Sequence, residues 1–150
     1  MTWLPHVTVA AIVHKDGKFL MVEEFDKSEP NKLVTNQPAG HLEENETLLQ
    51  ALERESYEET GWKVKPEAVL GFRLYKAPNN VTYLRVNILA EALAHDETAI
   101  IDSDIVRVVW LSHDEIKAKA NSLRSELVSE AVSLFYTGTR YPLSILESNI

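Results

Sequence analysis

Glu55, Glu58 and Glu59 stand at i, i+3 and i+4 near the end of an expected helix, behind the turn Pro38-Ala39-Gly40. At about 100° per residue they fall within one arc of the helix surface. Leu48 and Leu52 lie on nearly the same line as Glu55 and Glu59, one or two turns earlier. The acids therefore continue the edge along which an amphipathic helix normally stays apolar. Carboxylates withdrawn from water need partners. These also sit toward the negative end of the helix dipole, where each acid is disfavoured by ~0.3–1 kcal/mol, and like charges at i, i+4 add a few tenths more. One hard divalent cation reverses all of these penalties together. Oxygen ligands without nitrogen or sulfur suit Mg²⁺, with Mn²⁺ as the alternative. Taken alone, the acids fit a solvated acidic face equally well, because glutamate is a good helix former.

The elements that would position these acids can be read from pattern and punctuation. The helix is expected from an N-cap at Asn45 to a stop at Gly61. Before it, the apolar stretch His6 to His14 and the run Phe19 to Val22 flank Asp16-Gly17, a strong hairpin signal. Asp26 to Gln37 is polar, contains Pro30 and reads as a loop. After the helix, Val69 to Tyr75 and Val81 to Ala92 read as strands joined by a turn at Pro78-Asn79-Asn80. A further strand is expected over Ile105 to Leu111, and Ser112 with Glu115 forms a capping box that opens a short helix. A last helix carries Leu123, Leu127, Ala131, Leu134 and Phe135 at helical spacing and ends at Gly138. Strands, a mid-chain helix, more strands and terminal helices predict an α/β sandwich with a mixed sheet.

Composition narrows the function. The chain has 150 residues and 45% hydrophobic content, enough for one domain over residues 1–150 with its own core. A net charge of −8 argues against nucleic acid or an anionic membrane as partner, since both need a basic face. An anionic small molecule would need local arginine, lysine or bound metal. There is no cysteine, which removes thiolate metal sites and a cysteine nucleophile and fits a reducing compartment. With no secretory pattern at the N-terminus, the expected location is the cytoplasm. The five histidines have no metal-ligand spacing.

The wider spacing carries more than the acids alone. Gly40, five residues, Glu46, seven residues, then Arg54-Glu55-x-x-Glu58-Glu59-x-Gly61 resembles the box of the Nudix family at every charged and glycine position. Ser56 replaces an aliphatic residue of that pattern, and Trp62 stands where a smaller aliphatic is usual. The flanking segments Pro5 to Ala10, Gly17 to Leu20, Asn36 to Leu42, Asp102 to Ile105, Leu123 to Ser125 and Arg140 to Leu143 resemble a bacterial phosphatase branch of the family. The resemblance implies a Nudix-type α/β/α sandwich in which Glu55, Glu58 and Glu59 bind Mg²⁺ with help from the Gly40 carbonyl. It also implies that Arg54 pairs with Glu46 and orients Glu55.

The same resemblance implies hydrolysis of a small-molecule phosphoanhydride, with orthophosphate released from nucleoside di- and triphosphates and from hydroxymethylpyrimidine pyrophosphate or thiamine pyrophosphate. Pyrophosphohydrolysis of another nucleoside diphosphate derivative is the alternative, and a ligand-sensing domain that does not hydrolyse is a third. The general base is Glu55 or, from just before the Ile105–Leu111 strand, Asp104, with Asp102 two residues away. Arg85, alternating with apolar residues on a strand, is a candidate phosphate contact; a place on the sheet's wet face is its plain reading. Arg124, Arg140 and Tyr141 are candidates because the phosphatase branch shares them, against plain roles in capping the last helix and fixing the terminal turn. A monomer is expected, with a homodimer as the alternative.

Overall fold

The computed structural model describes residues 1–150. Asp16 and Gly17 both take positive φ, 52° and 78°, the conformation of a two-residue type I′ turn. They join β1 (His6–Lys15) to β2 (Lys18–Phe25) as the Asp-Gly signal predicts. Only His14 and Lys15 of β1 pair with β2. The rest of β1 leaves β2 and pairs instead with β4 (Ala39–His41), antiparallel, and with β6 (Thr82–His95), parallel. β5 (Trp62–Lys76) lies antiparallel outside β6, while β3 (Leu33–Asn36) and β7 (Ile105–Ser112) flank β2. The sheet is mixed, as expected, with seven strands.

Residues Val9 to Val13 of β1 are at most 1% exposed, because both faces of this strand are covered. Val9, Ala11 and Val13 pack with Ala51 and Leu52 of α1 (Leu48–Thr60). Ala10 and Ile12 pack with Ile116 of α2 (His113–Ala118) and with Val128, Ala131 and Val132 of α3 (Glu126–Tyr136). Alternate residues of one strand thus belong to two apolar layers. This gives the α/β/α arrangement expected of the Nudix fold.

Four local expectations are corrected. The cap of α1 is Thr47 rather than Asn45: Thr47 Oγ1 accepts from the Gln50 amide, and the Gln50 side chain accepts from the Thr47 amide. Asn45 instead takes a left-handed turn at φ 63°, which asparagine tolerates. β3 lies inside the stretch read as a loop; its Leu-Val-Thr core is short, but pairing with β2 fixes it. β5 begins at Trp62, well before Val69, and admits Pro66 beside a register shift, where a missing N–H is tolerated. α3 starts at Glu126 with Ser125 as its cap, so Leu123 precedes the helix and bridges to Thr35. The Ser112–Glu115 capping box is present at α2.

Ser56 is fully buried on α1 and its hydroxyl has no hydrogen-bond partner. An orphaned buried hydroxyl costs about 1–3 kcal/mol. Ser56→Ala is therefore expected to raise the thermal midpoint by about 2–4 °C for each kcal/mol recovered in a melting experiment. A lower midpoint would mean that the hydroxyl has a partner after all.

Candidate active site

The capping box that starts α1 and the left-handed Gly61 that ends it (φ 75°) fix the rotation of the helix. Glu55 and Glu59 consequently face β4 and the Pro38-Ala39-Gly40 turn. The Ala39 amide donates to Glu59 Oε1 at 2.9 Å. Gly40 packs so closely on Glu55 that an added Cβ would lie 2.1 Å from the carboxyl carbon. Only a glycine lets the backbone come this near.

Arg54 organises the acids. Its Nε and Nη2 donate to the two oxygens of Glu46 at 2.6 and 2.9 Å, the bidentate geometry in which arginine binds carboxylates best. Nη1 donates to Glu55 at 2.7 Å and to Glu58 at 3.2 Å, and Nη2 also donates to the His41 carbonyl at 3.0 Å. The Arg54–Glu46 contact implied by the resemblance is thus formed. The turn at Asn45 closes the distance that two helical turns would otherwise open. Hydrogen bonding from Arg54 lowers the pKa of Glu46, and the same bond raises that of Arg54.

The two inward acids are pushed the other way. Burial raises the Glu55 carboxyl above the usual carboxylate range, with Arg54 opposing. Burial raises Glu59 further, to about 9, against the Ala39 amide, and the charges of Glu55, Glu24 and Asp102 add to the rise. Glu58 is the most open of the three, with its side chain 41% exposed. As placed, no three carboxylates or imidazoles converge closely enough to cage an ion. The donor set still fits a hard cation. It is all oxygen, it is crowded with like charge, and it includes a buried acid that would otherwise hold its proton.

Of the two aspartates expected near β7, Asp102 is the one drawn to the site. Its amide donates to the Glu58 carbonyl at 2.9 Å, satisfying one of the free carbonyls at the end of α1, and its charge presses on Glu55 and Glu59. Asp104 is exposed one residue before β7. Arg85 does not lie on a wet face. It is 5% exposed and donates to Gln37 and Asn87. Arg124 forms an ion pair with Glu24 on β2. Arg140 donates to the Phe135 and Thr139 carbonyls, and the Tyr141 backbone bridges Val69. These last two residues tie down the terminal segment, toward the opposite end of α3 from Val128. Glu24 and Asn87 carried no signal in the sequence, and Gln37 only as part of the Asn36 to Leu42 segment, since each gains its partner through the tertiary fold.

The chain matches the NUDIX domain over residues 4–131 and belongs to that family. It is a Nudix hydrolase, an enzyme acting on phosphoanhydride bonds. Relatives named Phosphatase NudJ, from Shigella boydii serotype 4 and Escherichia coli K12, are 44% and 43% identical to it over 142 residues, 95% of this chain and 90% of theirs. A NUDIX hydrolase from Nitrosomonas europaea is similar throughout: TM-score 0.93, 40% identity, 97% of each chain covered. No helix is long and apolar enough to cross a membrane.

Proposed function

We propose that this enzyme releases orthophosphate, in a Mg²⁺-dependent reaction, from nucleoside di- and triphosphates and from hydroxymethylpyrimidine pyrophosphate or thiamine pyrophosphate. The observation that carries the reading is the Arg54 clamp, which holds Glu46, Glu55 and Glu58 together beside Gly40 in a chain so similar to NudJ phosphatases. Glu55, Glu58 and Glu59, with the Gly40 carbonyl, are the ligands for Mg²⁺, or for Mn²⁺ in its place. The bound ion neutralises phosphate charge and lowers the pKa of water. Arg54 keeps Glu55 aimed at the site. Glu55, withdrawn from water and raised in pKa, is suited to accept a proton from attacking water, and Asp104 is the alternative base. Arg85 and Arg124 supply positive charge for the substrate. Arg140 and Tyr141, engaged elsewhere, form no part of the reading. The enzyme is taken to work as a cytoplasmic monomer.

The test separates the products of a nucleoside triphosphate. Diphosphate plus orthophosphate is expected, formed with Mg²⁺ and abolished by EDTA. Monophosphate plus pyrophosphate would replace the phosphatase reading with pyrophosphohydrolysis, and full activity in EDTA would remove the metal.

A further inference from the structure

Arg85 is the one deeply buried cation of the fold, and no carboxylate hydrogen-bonds to it; Glu130, itself paired with Arg73, favours its charge without contacting it. Its Nε donates to Asn87 Oδ1 at 3.2 Å and its Nη2 to Gln37 Oε1 at 2.6 Å, both uncharged amides. Gln37 spends its own amino group on the Val128 carbonyl at 2.9 Å. Nη1 of Arg85 makes no hydrogen bond. Burial, reinforced by the Arg124 charge, pushes Arg85 down to about 10, so it remains a cation at neutral pH. A buried charge whose direct partners are all uncharged amides is costly, and a purely structural staple between β6, β3 and α3 does not require one.

A second guanidinium is brought beside it. The Arg124 amide donates to the Thr35 carbonyl at 2.8 Å, two residues before Gln37, so the end of β3 holds both arginines. Glu24 accepts from Arg124, and the same acid presses on Glu59. Glu24 thus acts on the box acids on one side and is paired on the other with one of two neighbouring cations.

We propose that Arg85 and Arg124 form an anion site for a phosphoryl group, with the Glu24 carboxylate as a placeholder on Arg124 that the ligand displaces. Two guanidiniums around one dianion satisfy the free Nη1 and remove the repulsion between the cations. The ligand is a substrate phosphate beyond the metal-bound group or the released orthophosphate. The inference rests on the proposed reading only in placing the phosphate chemistry in this cleft.

The test is metal-free binding of methylenediphosphonate and of orthophosphate, measured by calorimetry in EDTA, so that it needs no turnover. Arg124→Gln is expected to weaken both about tenfold, the loss of one charged hydrogen bond. Glu24→Gln is expected to tighten both several-fold, and that gain must vanish in the Arg124→Gln background. Arg85→Lys is expected to weaken binding as well. If it does not fold, the Glu24 and Arg124 variants, both less buried, decide the matter. A gain from Glu24→Gln that survives without Arg124 is a diffuse field effect and overturns the placeholder. Weakened binding in Glu24→Gln, or no anion binding by the wild type, overturns the proposal too. A larger rise in KM for a triphosphate than for a diphosphate in Arg124→Gln assigns the site to substrate. A rise only in the orthophosphate inhibition constant assigns it to product. If hydrolysis fails but this affinity pattern holds, the function reading falls and the anion site stands; active enzyme with flat affinities gives the reverse.

Discussion

Glu59→Gln is expected to abolish Mg²⁺-dependent hydrolysis while making the metal-free protein more stable. The two effects have one cause. The folded protein raises this carboxyl to about 9 by burying it, whereas an unfolded glutamate ionises at about 4.3. Between those values the folded state binds a proton that the unfolded state does not, so stability falls as pH rises through the window. The favourable contribution is fully present below the unfolded value and is lost as pH climbs toward 9. At pH 7 the difference amounts to about 4 kcal/mol. Glutamine is neutral at every pH and keeps an oxygen for the Ala39 amide, so it escapes the loss. Thermal midpoints in EDTA at pH 5, 7 and 9 are expected to decline for the wild type and to stay flatter for the variant. With Glu59 as a proposed Mg²⁺ ligand, metal binding would need the ionised acid and so would expel the proton. Its stabilising effect should grow with pH in the wild type and disappear in the variant. Activity should fall by at least about a hundredfold, more than the loss of an outer-shell partner of a metal ligand costs. Full Mg²⁺-dependent activity in the variant would strike Glu59 from the site.

Gly40→Ala is expected to cost about a hundredfold in kcat/KM with little change in melting. The new methyl group would lie 2.1 Å from the Glu55 carboxyl carbon and 2.2 and 2.5 Å from its oxygens. Glu55 cannot simply lean away, because Arg54 holds its Oε1 at 2.7 Å. The carboxylate must leave its place, and displacements of about 1 Å are enough for losses of this size. The backbone of Gly40 does not have positive φ, so alanine adds no strain there and β4 keeps its pairing with β1. Steady-state kinetics and a melting curve on the same preparation check both halves. Normal kinetics in a folded variant would show that the position of Glu55 does not matter to the reaction.

How far the sequence showed this site depends on the distance over which each contact is made. The acids, Arg54 and Glu46 lie within one short segment, so the family resemblance of that segment was enough to imply the clamp. The hairpin at Asp16-Gly17 and the box at Ser112 were equally local. Thr47 was passed over because Asn45 is also a good cap, and only the turn geometry chooses between them. β3 was missed because four residues in a polar stretch give little periodicity; its stability comes from β2, not from itself. For Arg85 the sequence leaves both a phosphate contact and a place on the wet face open, because alternation along one strand cannot tell whether a helix covers that face, and α3 is far away in the chain. Glu24 could not be found at all, since its partner Arg124 is 100 residues distant.

The pairing of β1 with β6 has a consequence for how the molecule comes into being. His6 lies beside Tyr83 and Val13 beside Ala90, so the first strand must wait for the second half of the chain before its register exists. Such long-range parallel pairings form slowly. During synthesis, α1 is complete long before β6 leaves the ribosome, and the apolar run Val9 to Val13 has no lasting cover in that interval. A nascent chain arrested shortly before Tyr83 is therefore expected to be sticky and protease-sensitive, with every box residue present and no pocket to hold them.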